Sequence, residues 1–414
     1  MGVIVGNVFP PCFKQLVEHL DQIKMFKKSI VALILFAVMT TKVKASMEPI
    51  PSIYVSCEDT LQGHFECGKQ IGQTFSSRIA KSIDNAVFAK AAYEKIRSST
   101  DSQLQQVFNN LKSYAIKTYP LYVEELKGTA VGSNQPFDLV LVMNFAQELA
   151  LLTSEVIEPE RCTDVFLPGM IAHNEDGMLE DLSTIYRVHM RTFDPKTGDS
   201  VDDFNGITYP ARLPGWGPGY NAHICWTSNM LYPSVPASAD GNGATTIFVS
   251  RDMARATSVD DAIKRCTPET LIAGQNQNFG DLRTGYMVTV ETAPEGEYNV
   301  FNLTKSSDAH AVFHANEYLR LKNISQIQKK IVSSQHRRAV FQKKSNEIKD
   351  ANTMLKFLGD TSDEQYPVYR HNDTTSEFTL LTVFIDMSKK QFSIYRGNPG
   401  NGGKSLLSQE FMMG

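Results

Sequence analysis

The chain before Cys162 carries apolar residues at the three- and four-residue spacing of amphipathic helices. This spacing predicts helices over residues 68–96, 104–118, 122–128 and 137–152. The stretch 154–161 is acidic and contains a proline, which predicts an exposed linker at the end of a helical segment.

After Cys162 the pattern changes to short apolar runs bounded by turn residues, which is typical of β-strands. The order of strands and helices favours layered sheets covered by helices, an α+β class. We expect Gly177 to lie in a turn between the first two strands. The predicted strands are 163–173, 184–193, 223–231, 285–292, 298–303, 311–315, 378–387 and 391–396, and the predicted helices are 246–256, 259–266 and 324–349.

Composition excludes several function classes. The chain has 414 residues and a formal net charge of −4, which argues against a dedicated nucleic-acid binder. The basic stretch 329–344, which includes Arg337, is interpreted as a solvated helix face. The glycine-rich segment 400–405 lacks the first glycine of a P-loop, and neither HExxH nor GxSxG occurs. We expect no cofactor and no metal.

The N-terminal region resembles a secretory leader. Lys27 and Lys28 precede the apolar run 30–39, and small residues up to Ala45 suit cleavage. The sequence therefore predicts an upstream extension over 1–24, a signal peptide over 25–45 and a secreted protein. The run is too short to span a bilayer, so we expect no stable membrane insertion. The alternative is a buried core segment or anchor.

Sequons at Asn302, Asn323 and Asn372 fit a secretory route and predict a glycoprotein. Cys12 would be lost with the leader, which leaves five cysteines, an odd number. At least one thiol is therefore expected to be unpaired within the chain.

The chemistry centres on Cys162, which opens a predicted strand. The segment His173 to Asp176 lies on the far arm of the predicted hairpin, so Asp176 is expected near Cys162. If the backbone is cut before Cys162, a free α-amino group with a pKa near 8 appears beside the thiol and can act as its base. Asp176 would then hold that amine. The alternative is a buried cysteine or half of a disulfide.

These motifs, taken in order, resemble the acyl-coenzyme A:6-aminopenicillanic acid acyltransferase family of N-terminal nucleophile hydrolases. The resemblance covers most of the chain after about residue 56. It implies a four-layer αββα sandwich and self-cleavage into two associated chains, 46–161 and 162–414. Besides Cys162 to Asp164 and His173 to Asp176, the resembling segments are 124–130, 213–229, 257–262, 290–294, 314–316, 358–360 and 382–399.

The resemblance also implies roles. Cys162 matches the nucleophile, Asp176 the acidic residue near the new amino terminus and Asn316 the oxyanion-hole asparagine, with Asn229 as a second donor. Alternatively, Asn316 caps a turn and Asn229 satisfies a buried backbone group. The cleavage site is Arg161–Cys162. Relatives usually have glycine before the nucleophile, so Arg161 leaves room for a trypsin-like protease to contribute to processing.

By the same resemblance, the expected activity is hydrolysis of an N-acylated amine, such as N-β-alanyl-dopamine or β-alanyl-histamine. Asp164, Glu175 and His173 are the predicted substrate-binding residues, and the carboxylates suit a cationic β-alanyl group. One alternative is an acyltransferase that passes the acyl group to an amine or thiol. Another is an unprocessed, inactive paralogue that acts as a binding protein.

With Cys162 reserved for catalysis, two disulfides can form among Cys57, Cys67, Cys225 and Cys266. Pairing Cys57 with Cys67 closes a short loop and leaves Cys225 for Cys266. Sequence allows three connectivities and does not choose among them.

Overall fold

The structure, a computed structural model, describes residues 49–153, 162–234, 240–304, 311–371, 377–402 and 407–410. The predicted leader, the linker that contains Arg161 and the sequon asparagine Asn372 lie outside these residues. Within the described residues, no helix is long and apolar enough to cross a membrane.

Among the described residues, the predicted helical half consists of six helices, with two more in the middle of the chain and two near its end. The predicted helix 68–96 is three helices, because the backbone leaves helical geometry at Phe75 and Ala86. Phe75 is buried and stacks on Tyr186 at 3.9 Å between ring centroids. The helices are α1 Leu61–Thr74, α2 Ser76–Asn85, α3 Val87–Arg97, α4 Ser102–Thr118, α5 Pro120–Ser133, α6 Phe137–Leu152, α7 Thr246–Met253, α8 Val259–Cys266, α9 Gln328–Lys344 and α10 Ala351–Leu358.

Helices α1 and α5 pack with their backbones in contact. A Cβ atom at Gly68 would lie 1.9 Å from the carbonyl oxygen of Glu125, and one at Gly128 would lie 1.9 Å from that of Phe65. Only glycine allows this approach, so these two positions fix how the helical half is assembled.

The strands form two sheets. Sheet A has the order β1-β4-β5-β6-β7-β8-β9-β10, and sheet B has the order β11-β2-β3-β12-β13-β14. Strand β1 pairs with β4 in parallel, whereas the other pairings are antiparallel. The strands are β1 Ser52–Glu58, β2 Thr163–Leu167, β3 Met170–Met178, β4 Tyr186–Phe193, β5 Ser200–Thr208, β6 Gly219–Asn221, β7 Ile224–Leu231, β8 Gly274–Asp281, β9 Met287–Thr292, β10 Tyr298–Asn302, β11 Val312–His314, β12 Glu377–Asp386, β13 Gln391–Tyr395 and β14 Leu407–Glu410.

Sheet B is buried on both faces, which creates the layers. In β2, Phe166 joins the core between the sheets, whereas Val165 and Leu167 join a second core beneath α9 and α10. On the far side, α1 covers β1 and β4, and α8 covers β8 and β9. The order is helices, sheet A, sheet B, helices. The predicted α+β class and four-layer αββα sandwich are confirmed.

Several local predictions were wrong. Gly177 lies inside β3, and the turn between β2 and β3 contains Gly169, whose φ of +75° favours glycine. Strand β8 was missed because its sequence GQNQNFGD is polar, yet its amides are buried between partners. Strands β1 and β5 were also missed.

One predicted disulfide forms and the other does not. Cys57 and Cys67 are bonded, which confirms the short loop. Cys225 and Cys266 are separate buried thiols. Cys225 lies in β7 near the carbonyl oxygen of Gly280, whereas Cys266 ends α8.

Candidate active site

The candidate nucleophile lies immediately before β2, at the edge of the space between the two sheets. In the register of β2 and β3, Thr163 pairs with Asn174 and Asp164 pairs with His173. Cys162 therefore comes next to Glu175, and its Sγ lies 3.7 Å from Glu175 Oε1. The predicted hairpin does bring this segment of β3 to the cysteine.

Alternate residues of β3 face opposite sides of sheet B. On the inner side, His173 bridges two carboxylates, with Nδ1 2.9 Å from Asp164 Oδ1 and Nε2 3.1 Å from Glu175 Oε2. Asp164 also accepts hydrogen bonds from Thr227 Oγ1 and Asn229 Nδ2, each at 2.6 Å. Hydrogen bonds thus run without a break from the thiol into sheet A.

Burial and charge favour the protonated form of the Cys162 thiol. Burial raises the pKa of Cys162 far above its usual range, and the neighbouring Glu175 carboxylate raises it further. Burial opposes the charging of His173, but the Asp164 and Glu175 carboxylates hold its pKa well above the usual value. The two carboxylates therefore favour the imidazolium form of His173, which is a poor acceptor for the thiol proton. The thiol needs a different base.

The outer side of β3 carries Asp176. Its Oδ1 accepts a hydrogen bond from Thr379 Oγ1 at 2.7 Å, and its Oδ2 lies 3.6 Å from Arg370 Nε. Among the described residues, this Oδ2 atom has no hydrogen-bond donor. Burial raises the pKa of Asp176 to about 7, although Arg370 and Arg337 oppose this. Asp176 therefore has one oxygen atom available for a further donor.

Arg337 joins the cysteine backbone to Asn316. Its Nη1 donates to the carbonyl oxygen of Cys162 and to Thr163 Oγ1, each at 2.6 Å, and its Nη2 donates to Asn316 Oδ1 at 2.9 Å. The interpretation of Arg337 as part of a solvated face was wrong, because its side chain is fully buried. It shares a helical stripe with Ser333 and Val340, a signal that the sequence contained.

The two predicted oxyanion donors are both engaged. Asn316 Nδ2 donates to the carbonyl oxygen of Met230 at 3.1 Å. Asn229 Nδ2 donates to Asp164, and its Oδ1 accepts from Asn276 Nδ2 at 2.9 Å. Each amide nitrogen carries a second N–H, so their oxyanion role stays a prediction. The predicted substrate contact of Asp164 also stays a prediction, since both its oxygen atoms already accept hydrogen bonds.

Sequence reasoning missed Tyr209 and Arg370. Tyr209 Oη donates to Glu175 Oε1 at 2.7 Å from the loop after β5. Arg370 forms an ion pair with Glu377 Oε2 at 2.5 Å besides its contact with Asp176. Neither residue belongs to a recognisable motif, because long-range packing alone brings each of them to the site.

A cavity of about 530 Å³ reaches β3 at Gly177, although Cys162, His173 and Glu175 do not line it. A methyl group at Gly177, one of its lining residues, would lie 3.4 Å from Tyr209 Oη and 3.2 Å from Asp181 Oδ2. Burial raises the pKa of Asp181 to about 6, and Arg212 opposes this shift. The cavity therefore combines charged groups near the thiol cluster with an apolar wall. That wall includes Val87, Phe88, Ala89, Ala92, Leu104 and Met143.

Comparisons with known proteins give three findings. The sequence model of the acyl-coenzyme A:6-aminopenicillanic acid acyl-transferase family matches residues 165–401. The β-alanyl-dopamine/carcinine hydrolase of Drosophila melanogaster is 23% identical over 356 residues, which is 81% of this chain and 89% of that protein. The solved Caenorhabditis elegans N-acylethanolamine-hydrolyzing acid amidase ortholog aligns with a TM-score of 0.37 and 14% identity, over 55% of this chain and 93% of that one.

Proposed function

Because this chain belongs to the acyl-coenzyme A:6-aminopenicillanic acid acyl-transferase family, we propose that it is a self-processed amidohydrolase with Cys162 as its N-terminal nucleophile. The observation that carries this proposal is that both the thiol and the backbone carbonyl of Cys162 are held by neighbouring side chains. Its thiol lies against Glu175, while its backbone carbonyl and the side chain of Asn316 are held by the single guanidinium of Arg337. The thiol and the backbone carbonyl of Cys162 are therefore both held in position before any substrate binds.

The first step is cleavage of the peptide bond between Arg161 and Cys162. The thiol attacks the carbonyl carbon of Arg161, the C–N bond breaks, and a thioester forms as the nitrogen takes up the proton. Water then hydrolyses the thioester, which leaves a carboxylate on Arg161 and a free α-amino group on Cys162. Where Arg161 slows this step, a trypsin-like protease can make the same cut.

The new α-amino group supplies the base that the thiol lacks. Its ordinary pKa is near 8, and the proposed acceptor of its N–H is Asp176 Oδ2, which has no hydrogen-bond donor among the described residues. The amine takes the thiol proton, and the thiolate attacks the substrate amide carbon. The amine product leaves with that proton. Water then releases the acyl group and restores the thiol.

The proposed substrate is an N-β-alanyl amine, since the Drosophila relative is named for hydrolysis of β-alanyl-dopamine and carcinine. A β-alanyl group carries an ammonium, which favours a pocket with carboxylates. Glu175 lies beside the thiol, and Asp181 and Glu180 line the neighbouring cavity. These three carboxylates support the substrate class.

Secretion is part of the proposal. The disulfide between Cys57 and Cys67 joins β1 to α1, and disulfides persist mainly in oxidising compartments. This bond supports the leader predicted over residues 25–45 and a working chain that begins near Ser46.

The test compares Cys162→Ala with a matched thiol variant, Cys266→Ala, on β-alanyl-dopamine and β-alanyl-histamine. Loss of the nucleophile should reduce turnover on the order of 10⁶-fold, whereas Cys266→Ala should keep it because Cys266 lies at the end of α8. Release of β-alanine is followed by chromatography. Activity in Cys162→Ala would contradict the proposal, and a new amide formed in the presence of a competing amine would identify an acyltransferase.

A further inference from the structure

The inner cluster has the composition of a metal site. Cys162, His173 and Glu175 bring a sulfur, an imidazole nitrogen and a carboxylate oxygen within 4.8 Å of one another, and all three residues are buried. Glu175 approaches the other two residues through different oxygen atoms: Oε1 lies 3.7 Å from Cys162 Sγ, and Oε2 lies 3.1 Å from His173 Nε2. Tetrahedral zinc bonds of about 2.0–2.3 Å place donor atoms roughly 3.3–3.6 Å apart. One ion would therefore bind after the Glu175 carboxylate turns and the three donor atoms close in from separations of up to 4.8 Å.

The surrounding side chains already hold these donors as they are held in zinc proteins. Zinc-binding histidines almost always donate their other ring N–H to a carboxylate or carbonyl. Here Asp164 Oδ1 lies 2.9 Å from His173 Nδ1, and the other ring nitrogen, Nε2, faces Glu175. Thr227 and Asn229 hold Asp164 from the opposite sheet. We propose that Cys162, His173 and Glu175 form a zinc-binding site.

The charges balance when zinc enters. The metal binds the Cys162 sulfur as thiolate and the His173 Nε2 as neutral imidazole, so the thiol proton and the Nε2 proton pass to water. Two positive charges enter as two leave, and the net charge of the buried cluster stays the same. Zinc binding therefore adds no further uncompensated charge to the interior, which would be costly.

Zinc at this site blocks the proposed nucleophile, because a metal-bound sulfur is not free to attack a carbonyl. This consequence rests on the proposed function, whereas the binding itself does not. The uncut chain offers three side-chain donors, with water in the fourth position. A chain cut before Cys162 adds the α-amino nitrogen of the same residue, so we expect tighter binding after cleavage.

The experiment uses the purified full chain with its disulfide intact. Zinc chloride binding is measured by calorimetry, and Co²⁺ is added as a spectroscopic probe because a cobalt–thiolate bond gives a charge-transfer absorption. We expect this absorption in the unchanged chain and its loss in Cys162→Ala. Asp164→Asn should weaken binding about 10–100-fold. The matched control for His173→Gln is His336→Gln, since His336 is half-buried and pairs with Asp363 elsewhere.

Binding that survives both Cys162→Ala and His173→Gln, or cobalt binding without the thiolate absorption, would overturn the zinc site. Circular dichroism checks that each variant is folded. If Asp164→Asn unfolds, Tyr209→Phe replaces it as the variant, because it removes the hydrogen bond that supports Glu175 and should also weaken zinc binding. Zinc binding by a protein without amidase activity would contradict only the proposed function, and amidase activity without zinc binding would contradict only the zinc site.

Discussion

Two buried histidines in this protein each lie between two carboxylates, yet their surroundings differ. In the helical half, His64 Nε2 is 3.0 Å from Asp59 and its Nδ1 is 3.3 Å from Glu125. Beside the thiol, His173 has the same arrangement with its own two carboxylates at 2.9 and 3.1 Å. The pKa is raised at both histidines, since these carboxylates outweigh burial.

The difference lies in the arginines. Arg255 pairs with Asp59 at 3.0 Å, and Arg251 pairs with Glu125 at 3.2 Å. Around His173, in the part of the chain that the structure describes, no arginine or lysine forms an ion pair with the bridged carboxylates. Hydroxyl groups, amides and the thiol of Cys162 surround them instead. The arginines neutralise the cluster at His64, whereas the cluster at His173 leaves negative charge beside Cys162, the proposed nucleophile.

The comparison predicts its largest effect for removal of each imidazole. His173→Gln leaves two buried carboxylates without their cation and should reduce the free energy of unfolding by about 3–5 kcal/mol. His64→Gln leaves Arg251 and Arg255 in place and should cost about 1–3 kcal/mol. Urea unfolding at pH 7 measures both variants. Equal losses would mean that the arginines do not distinguish the two clusters.

A carboxylate that forms no ion pair with a described residue gives a third case. Glu148 is fully buried, and burial raises its pKa to about 7 although Thr246 donates to it. A raised acid pKa stabilises the fold fully below the unfolded value of about 4.3, and this contribution is lost as pH rises through about 7. Glu148→Gln should therefore gain about 1–3 kcal/mol at pH 8 and almost nothing at pH 4. Urea unfolding at the two pH values checks this, and a gain that does not change with pH would contradict it.

The smallest effect is expected at the edge of the His64 cluster. The hydrogen bond from His64 lowers the pKa of Asp59 to about 2. A lowered acid pKa stabilises the fold above the unfolded value of about 3.9, and this contribution is lost as pH falls through about 2. Asp59→Asn should cost less than about 1 kcal/mol at pH 7, because a partly exposed pair is screened by solvent. A thermal unfolding series from pH 2 to 7 should show the loss vanish at the acid end.

Much of the site followed from local sequence. The prediction that a hairpin returns Asp176 toward Cys162 agrees with the register of β2 and β3, although the turn lies at Gly169 and not at the predicted Gly177. Helices with strong apolar spacing were also found with correct bounds, as for α6 and α8. The family resemblance, which joined many weak matches in order, is confirmed.

The parts that were missed depend on partners distant in sequence. Arg337 is buried where it reaches Cys162 and Asn316, and its basic neighbours outweighed the helical stripe that would have indicated its burial. Strand β8 buries side-chain amides that form hydrogen bonds with each other and with β7. A hydrophobic pattern does not predict such a strand. Buried polar residues whose hydrogen bonds are all formed within the protein cannot be distinguished from surface polar residues by their sequence.

The measurement that tests the central claim most directly is the intact mass of the purified protein, with N-terminal sequencing of each chain. The account predicts two associated chains, the second beginning at Cys162 with a free α-amino group, and a Cys162→Ala variant that stays uncut when no protease is present. A single uncut chain with full amidase activity, or a cut at another position, would contradict it.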